Sequence, residues 1–188
     1  NNINGDYAAY VLYEDRSDDE QLTVNTILES QLSEHTTLNA AINYKRLKSH
    51  NFAEIVDMLG SNTGYLNVDS FDQVQFDLQN PNQVVGEGDT FRYNYDIDAN
   101  VLSSFLQAQF KYNKVDFFVS GSSTATEYQR EGLYQTETYA DNSLGKGRKL
   151  SFTGLGAKGG FTYKFSGKHI FNVNAGYLSK APTIRNTF

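Results

Sequence analysis

Apolar and polar residues alternate with a period of two along most of this chain, and turn residues separate the alternating stretches. That period sends successive side chains to opposite faces of a strand. The clearest run is Leu22, Val24, Thr26, Leu28, Ser30 and Leu32, interleaved with Thr23, Asn25, Ile27, Glu29 and Gln31. After Ser33–Thr37 it returns as Leu38, Ala40, Ile42 and Tyr44 against Asn39, Ala41, Asn43 and Lys45. A hairpin that sets Leu32 opposite Leu38 also sets Leu28 opposite Ile42 and Thr26 opposite Tyr44. Every large apolar residue except Ile27 then lies on one face. A slip of one residue destroys that agreement, so the register is well specified.

Two further hairpins follow the same rule. Leu106, Ala108, Phe110 and Tyr112 lead into a turn at Asn113-Lys114, where Asn tolerates a positive φ, and Val115, Phe117 and Val119 return. This pairing sets Phe110 opposite Phe117, with Asp116, Ser120 and the exceptional Phe118 on the polar face. The third turns at Ser166-Gly167-Lys168, with Gly167 suited to a left-handed position in a three-residue loop. Ala157, Gly159, Phe161, Tyr163 and Phe165 enter it, and Phe171, Val173, Ala175 and Tyr177 leave. Lys158, Gly160, Thr162, Lys164, Asn172 and Asn174 share the other face.

Seven strands are expected, at 6–14, 20–32, 37–49, 93–112, 115–130, 149–165 and 169–180. The charged run Asp15 to Glu20 reads as a link between the first two, and Asn51 to Gly60 as a short helix with Asn51 as N-cap. Short turns alternate along the chain with long loops at about 50–92 and 131–148, so the short turns share one end of the sheet. Outer-membrane barrels have that asymmetry, whereas a sandwich mixes loop lengths at both ends.

Composition narrows the classes. The chain of 188 residues has no cysteine, so disulfides and cysteine zinc sites are excluded. A formal charge of -6 argues against nucleic-acid binding. No apolar run reaches the ~18 residues of a membrane helix, which leaves membrane strands open, since these need only ~9–11 residues with one apolar face. Of the aromatics (13 Tyr and 13 Phe), Phe110, Tyr112, Phe117, Phe161, Tyr163, Phe165 and Phe171 cluster beside the short turns on the apolar face, as in an interfacial girdle. Both chain ends read as cuts through a longer polypeptide.

The segment Asn174-Ala175-Gly176-Tyr177-Leu178-Ser179-Lys180-Ala181-Pro182-Thr183-Ile184-Arg185-Asn186-Thr187-Phe188 resembles a strand-end segment of TonB-dependent outer-membrane receptors, in members with a carboxypeptidase-regulatory-like domain ahead of the plug. Leu59-Gly60 with Tyr65, and Asn80-Pro81-Asn82 through Gly86-Glu87-Gly88-Asp89, look like a long extracellular loop of that family. The resemblance implies an all-β fold. Residues 1–188 would be part of one antiparallel transmembrane barrel domain, about seven strands of roughly 22. It implies import of a nutrient solute across a bacterial outer membrane, without catalysis or a cofactor. Implied partners are outer-membrane lipid, the plug domain and TonB complex through segments absent here, and the surface lipoprotein lid that some relatives use.

Candidate chemistry is sparse. His35, His50 and His169 show no metal-ligand or triad spacing, so no catalytic or metal residue is expected. Gly154 to Gly160 lacks the phosphate-loop order, and Ser120-Gly121-Ser122-Ser123 sits in a strand pattern rather than a nucleophile elbow. Asn25, Asn43 and Lys45 are the candidate ligand contacts, on the polar face near the outer mouth. Two alternatives stand beside the receptor: a small non-transporting barrel acting as adhesin or anchor, and a soluble extracellular β-sandwich that binds glycans.

Overall fold

The computed structural model describes residues 7–187, so the start of the expected 6–14 strand and the terminal Phe188 lie outside the described residues. The protein is all-β. Its long strands are β1 (Leu12–Ser33), β2 (Thr36–Asp57), β5 (Thr90–Lys111), β6 (Val115–Gly132), β8 (Leu150–Ser166) and β9 (His169–Leu178). Two-residue strands β3 (Tyr65–Leu66) and β4 (Val84–Val85) form a small ribbon, and β7 (Gly145–Lys146) pairs with β6. The seven-stranded sheet runs β1-β2-β5-β6-β8-β9 with β7 off this path, so the long strands neighbour one another in chain order. β1 and β9 are its edges; the sheet is not closed into a barrel.

The expected faces are observed where register is defined. Val115 pairs with Tyr163 and Phe117 with Phe161, then Phe161 with Val173 and Tyr163 with Phe171. Phe110 stacks on Phe117 with ring centroids 4.5 Å apart, as the second hairpin requires.

Four local expectations are overturned. Asp15 to Glu20 is not a link: it lies inside β1, which is one continuous strand. Arg16 meets Glu54 of β2 at 2.8 Å and Asp18 of its own strand at 2.9 Å, and Asp15 accepts the Tyr93 hydroxyl of β5 at 2.8 Å. Asn51 to Asp57 is strand rather than helix. Backbone bonds from Ile55 N to Asp89 O and from Gly88 N to Ile55 O hold it extended, and long-range pairing outweighs a local cap signal. Asn113 does not take a positive φ, although the turn is placed correctly and the Tyr112 amide closes it onto Val115 O at 2.8 Å. Gly167 also keeps a negative φ, because pairing of Ser166 with His169 leaves a two-residue turn, with an irregularity between Lys164 and Ser166 absorbing the extra residue.

The chain divides into two compact units. One takes residues up to Gln21 with Leu47–Asp98 and Gln129–Lys149, and so contains both long loops. Its core is Ala8, Ala53, Ile55, Met58, Val85 and Phe91, with Val11, Tyr65 and Tyr93 packed against it. The other takes Leu22–Arg46, Ala99–Tyr128 and the chain from Leu150 onward. Among its described residues Ala99 and Tyr128 are the buried hydrophobics, while Leu28, Ile42, Leu106, Val119, Phe171 and Val173 are roughly half exposed. Among the described residues, nothing covers the apolar face of this part of the sheet.

Candidate functional site

Alternation determines what the sheet's polar face presents. Three cross-strand rows run over β6, β8 and β9: Asp116–Thr162–Asn172, Phe118–Gly160–Asn174 and Ser120–Lys158–Gly176. The first row is hydrogen bonded, Asn172 Nδ2 donating to Thr162 Oγ1 at 2.8 Å. Asn174 Nδ2 donates to Asn172 Oδ1 at 2.6 Å, which ties the first row to the second. Lys164 closes the patch with an ion pair to Asp116 Oδ2 at 2.8 Å, while Asp116 Oδ1 has no donor. In the middle row a Cβ on Gly160 would collide with the Phe118 ring and with Asn174 Oδ1. The glycine therefore lets the ring lie against the wall. Two cavities share Phe118 and Asn174 in their linings. One, of about 140 Å³, is also lined by Gln109, Asp116, Thr162 and Asn172; the other, of about 340 Å³, by Lys158 and Gly176.

The residues expected to meet ligand lie on this same kind of face. Asn43 on β2 donates from Nδ2 to Asn25 Oδ1 on β1, so the structure brings these two together. Lys45 is two positions further along β2, half-buried. It is not joined to Asn25 or Asn43 by any hydrogen bond. What sequence reading missed is the cluster around Phe118: the ring was visible as an exception to alternation, but the glycine beneath it belongs to another strand.

In the other unit the two long loops are stapled together. Asp77, 2% exposed, accepts from Gln79 N, Gln135 N and Asn80 Nδ2. Leu78 N bonds Gln135 O, and Gln75 and Glu137 exchange two bonds through Gln75 N to Glu137 Oε2 and Glu137 N to Gln75 O. Asp69 caps the tight turn at the tip of the longer loop by accepting the amides of Asp72 and Phe71, and these bonds hold its carboxyl below the usual carboxylate range. The turn leaves Phe71 93% exposed. Burial, then the hydrogen bond to Asp15 and its charge, push the Tyr93 phenol up to about 12. Burial first, with Asp77 and Asp89 adding, pushes Tyr134 to about 12 as well. None of these groups is a nucleophile beside a base, and no cluster of three metal-ligating side chains exists among the described residues.

Comparison with protein-family models, curated proteins and solved structures finds no match for this chain.

Proposed function

We propose that the chain is a section of wall and outer loops of an outer-membrane β-barrel of the TonB-dependent receptor type, serving import of a solute and not catalysis. One observation carries the reading: the apolar face of the sheet is exposed while the face bearing amides and ion pairs is the one with built contacts. Leu22, Val24, Leu28 and Leu32 on β1 are 57%, 51%, 57% and 62% exposed. More than a dozen large side chains share this condition on the same face. Burying a side chain of this kind contributes about 1.5–3 kcal/mol, so leaving them in water forfeits a sum comparable with the net stability of a domain, about 5–15 kcal/mol. Lipid removes that cost. The apolar stretch runs from Leu22 to Leu32 on β1 and from Leu102 to Phe110 on β5, and a membrane strand of ~9–11 residues has that length.

In this reading β1 and β9 are edges because the remaining wall belongs to further strands of a larger barrel, and the stapled loops face outside. A soluble β-sandwich requires a second sheet over the apolar face, and no described residue supplies one. Partitioning tests the proposal: the full-length protein should sediment with salt-washed membranes and need detergent for release. Recovery from the soluble fraction without detergent would end the reading.

A further inference from the structure

We infer that the chain after β9 forms a strap that lies across the polar face of the sheet, closes over a hydroxyl-lined recess there, and opens as a unit. β9 stops at Leu178, opposite Gly156, while β8 extends back to Leu150. The chain has a reason to leave the ladder at this point. Pro182 has no N–H to give it, and a proline also restricts the residue before it. The Ser179 amide makes the last bond along the strand edge, to Leu155 O at 2.8 Å. The backbone then crosses Gly154, which alternation places on the polar face with Lys158 and Gly160. A Cβ on Gly154 would stand 2.7 Å from Ser179 O and 3.6 Å from Lys180 Cα, so the glycine is what lets the chain cross here.

The strap covers something and is loosely held. Thr124, Thr126 and Tyr128 of β6 line a recess of about 300 Å³, and Ser179, Lys180 and Ala181 of the strap form its other wall. Thr126 and Tyr128 are 4% and 9% exposed, against the half-exposed residues along most of this unit's sheet. Past Ser179, the only hydrogen bond between strap and sheet among the described residues is a long one, from the Tyr128 hydroxyl to Pro182 O at 3.4 Å. The strap's other bonds are its own. Asn186 N meets Thr183 O at 2.9 Å, Thr187 N meets Ile184 O at 3.0 Å, and Thr187 Oγ1 donates to Thr183 O at 2.8 Å. A segment bonded mainly to itself opens at a lower free energy than the sheet that carries it, and moves as one piece. In the barrel reading this face is the lumen, and the strap is then a movable constriction whose opening adds the recess to the passage. That consequence rests on the barrel reading; the strap itself does not.

The test is thiol labelling of the detergent-purified full-length protein with a small methanethiosulfonate. These 188 residues hold no cysteine, and the unsubstituted protein is the blank. Thr126→Cys puts the thiol under the strap, and Thr162→Cys puts one on the same face further along β8. The thiol at position 126 should react slowly in the otherwise unchanged chain. Tyr128→Phe keeps the ring, removes the hydroxyl that reaches Pro182, and should speed that reaction roughly threefold. Gly154→Ala sets a methyl against strap backbone, which has no side chain to swing aside, and should speed it at least about tenfold. The thiol at position 162 should keep its rate in both backgrounds. If Gly154→Ala does not assemble, Tyr128→Phe alone decides. Fast labelling at position 126 with the strap unaltered, or no acceleration in either variant, would overturn the inference. So would equal acceleration at position 162, which means that β8 itself has loosened. None of these outcomes bears on membrane partitioning, which decides the barrel reading.

Discussion

At the scale of single residues the two sides of the sheet make opposite demands. On the apolar side, Leu28→Arg or Ile42→Arg places a charge where the barrel reading puts hydrocarbon, at a cost of ~2–4 kcal/mol near the midplane. Asn25→Arg, on the polar side, replaces one end of the contact with Asn43 and should be much milder. Heat-modifiable migration of the assembled barrel on gels measures the difference, and equal assembly defects in all three variants would show that the faces are assigned wrongly. Among the loop-unit residues the sharpest handle is Tyr93. Its neutral form is favoured in the fold, so its contribution is complete below the ordinary phenol pKa of about 10 and is lost as pH rises through about 12. Tyr93→Phe keeps the ring and removes the bond to Asp15, which is partly solvent-exposed, so the cost should be at most about 1 kcal/mol. Alkaline ultraviolet titration should then show one fewer phenol ionising late, with Tyr134 still titrating near 12.

At the scale of elements, what could be read from the chain depended on how far away the deciding partner was. The faces of β6, β8 and β9 were readable because period two is local, and Phe117 opposite Phe161 and Phe161 opposite Val173 follow from it once the turns are located. The helix expected at Asn51 to Gly60 failed for the converse reason: its cap residues are local, but Ile55 is held extended by Gly88 and Asp89 across the long loop. The charged run of β1 looked like a link because its partners, Glu54, Ser49 and Tyr93, come from β2 and β5. Among the candidate contacts, Asn25 and Asn43 were readable as sharing the polar face, and the structure adds the bond between them, whereas the place of Gly160 under Phe118 needed the register of β6 on β8. Turn conformation was the finest detail and the least accessible. Gly167 looked suited to a left-handed position, yet its φ is negative and a Cβ there meets nothing within 4 Å. Gly167→Ala should therefore be tolerated, and should stabilise by about 0.4–1 kcal/mol through the unfolded chain. Denaturant midpoints of the refolded protein measure this, and a clear loss of stability would show that the turn needs glycine after all.

For the whole molecule, the informative property is that its two compact units differ in what they bury. The loop-bearing unit buries Ile55, Val85 and Phe91 in a core of its own. The other unit leaves its largest side chains open on one face, and no described residue covers them. If the two units are suited to different solvents, β1 belongs to the first up to Gln21 and to the second from Leu22. If lipid is the second solvent, the two ends of the strands must lie on opposite sides of a membrane. These 188 residues hold no cysteine, so a thiol introduced here is measurable against the unsubstituted protein as the labelling blank. Phe71→Cys, at the exposed tip of the long loop, should react with a membrane-impermeant maleimide on intact cells. Lys114→Cys, in the short turn between β5 and β6, should react only after the outer membrane is permeabilised. Equal labelling of both thiols on intact cells would mean that no membrane separates the long loops from the short turns, and the exposed apolar face would then have to be covered by protein.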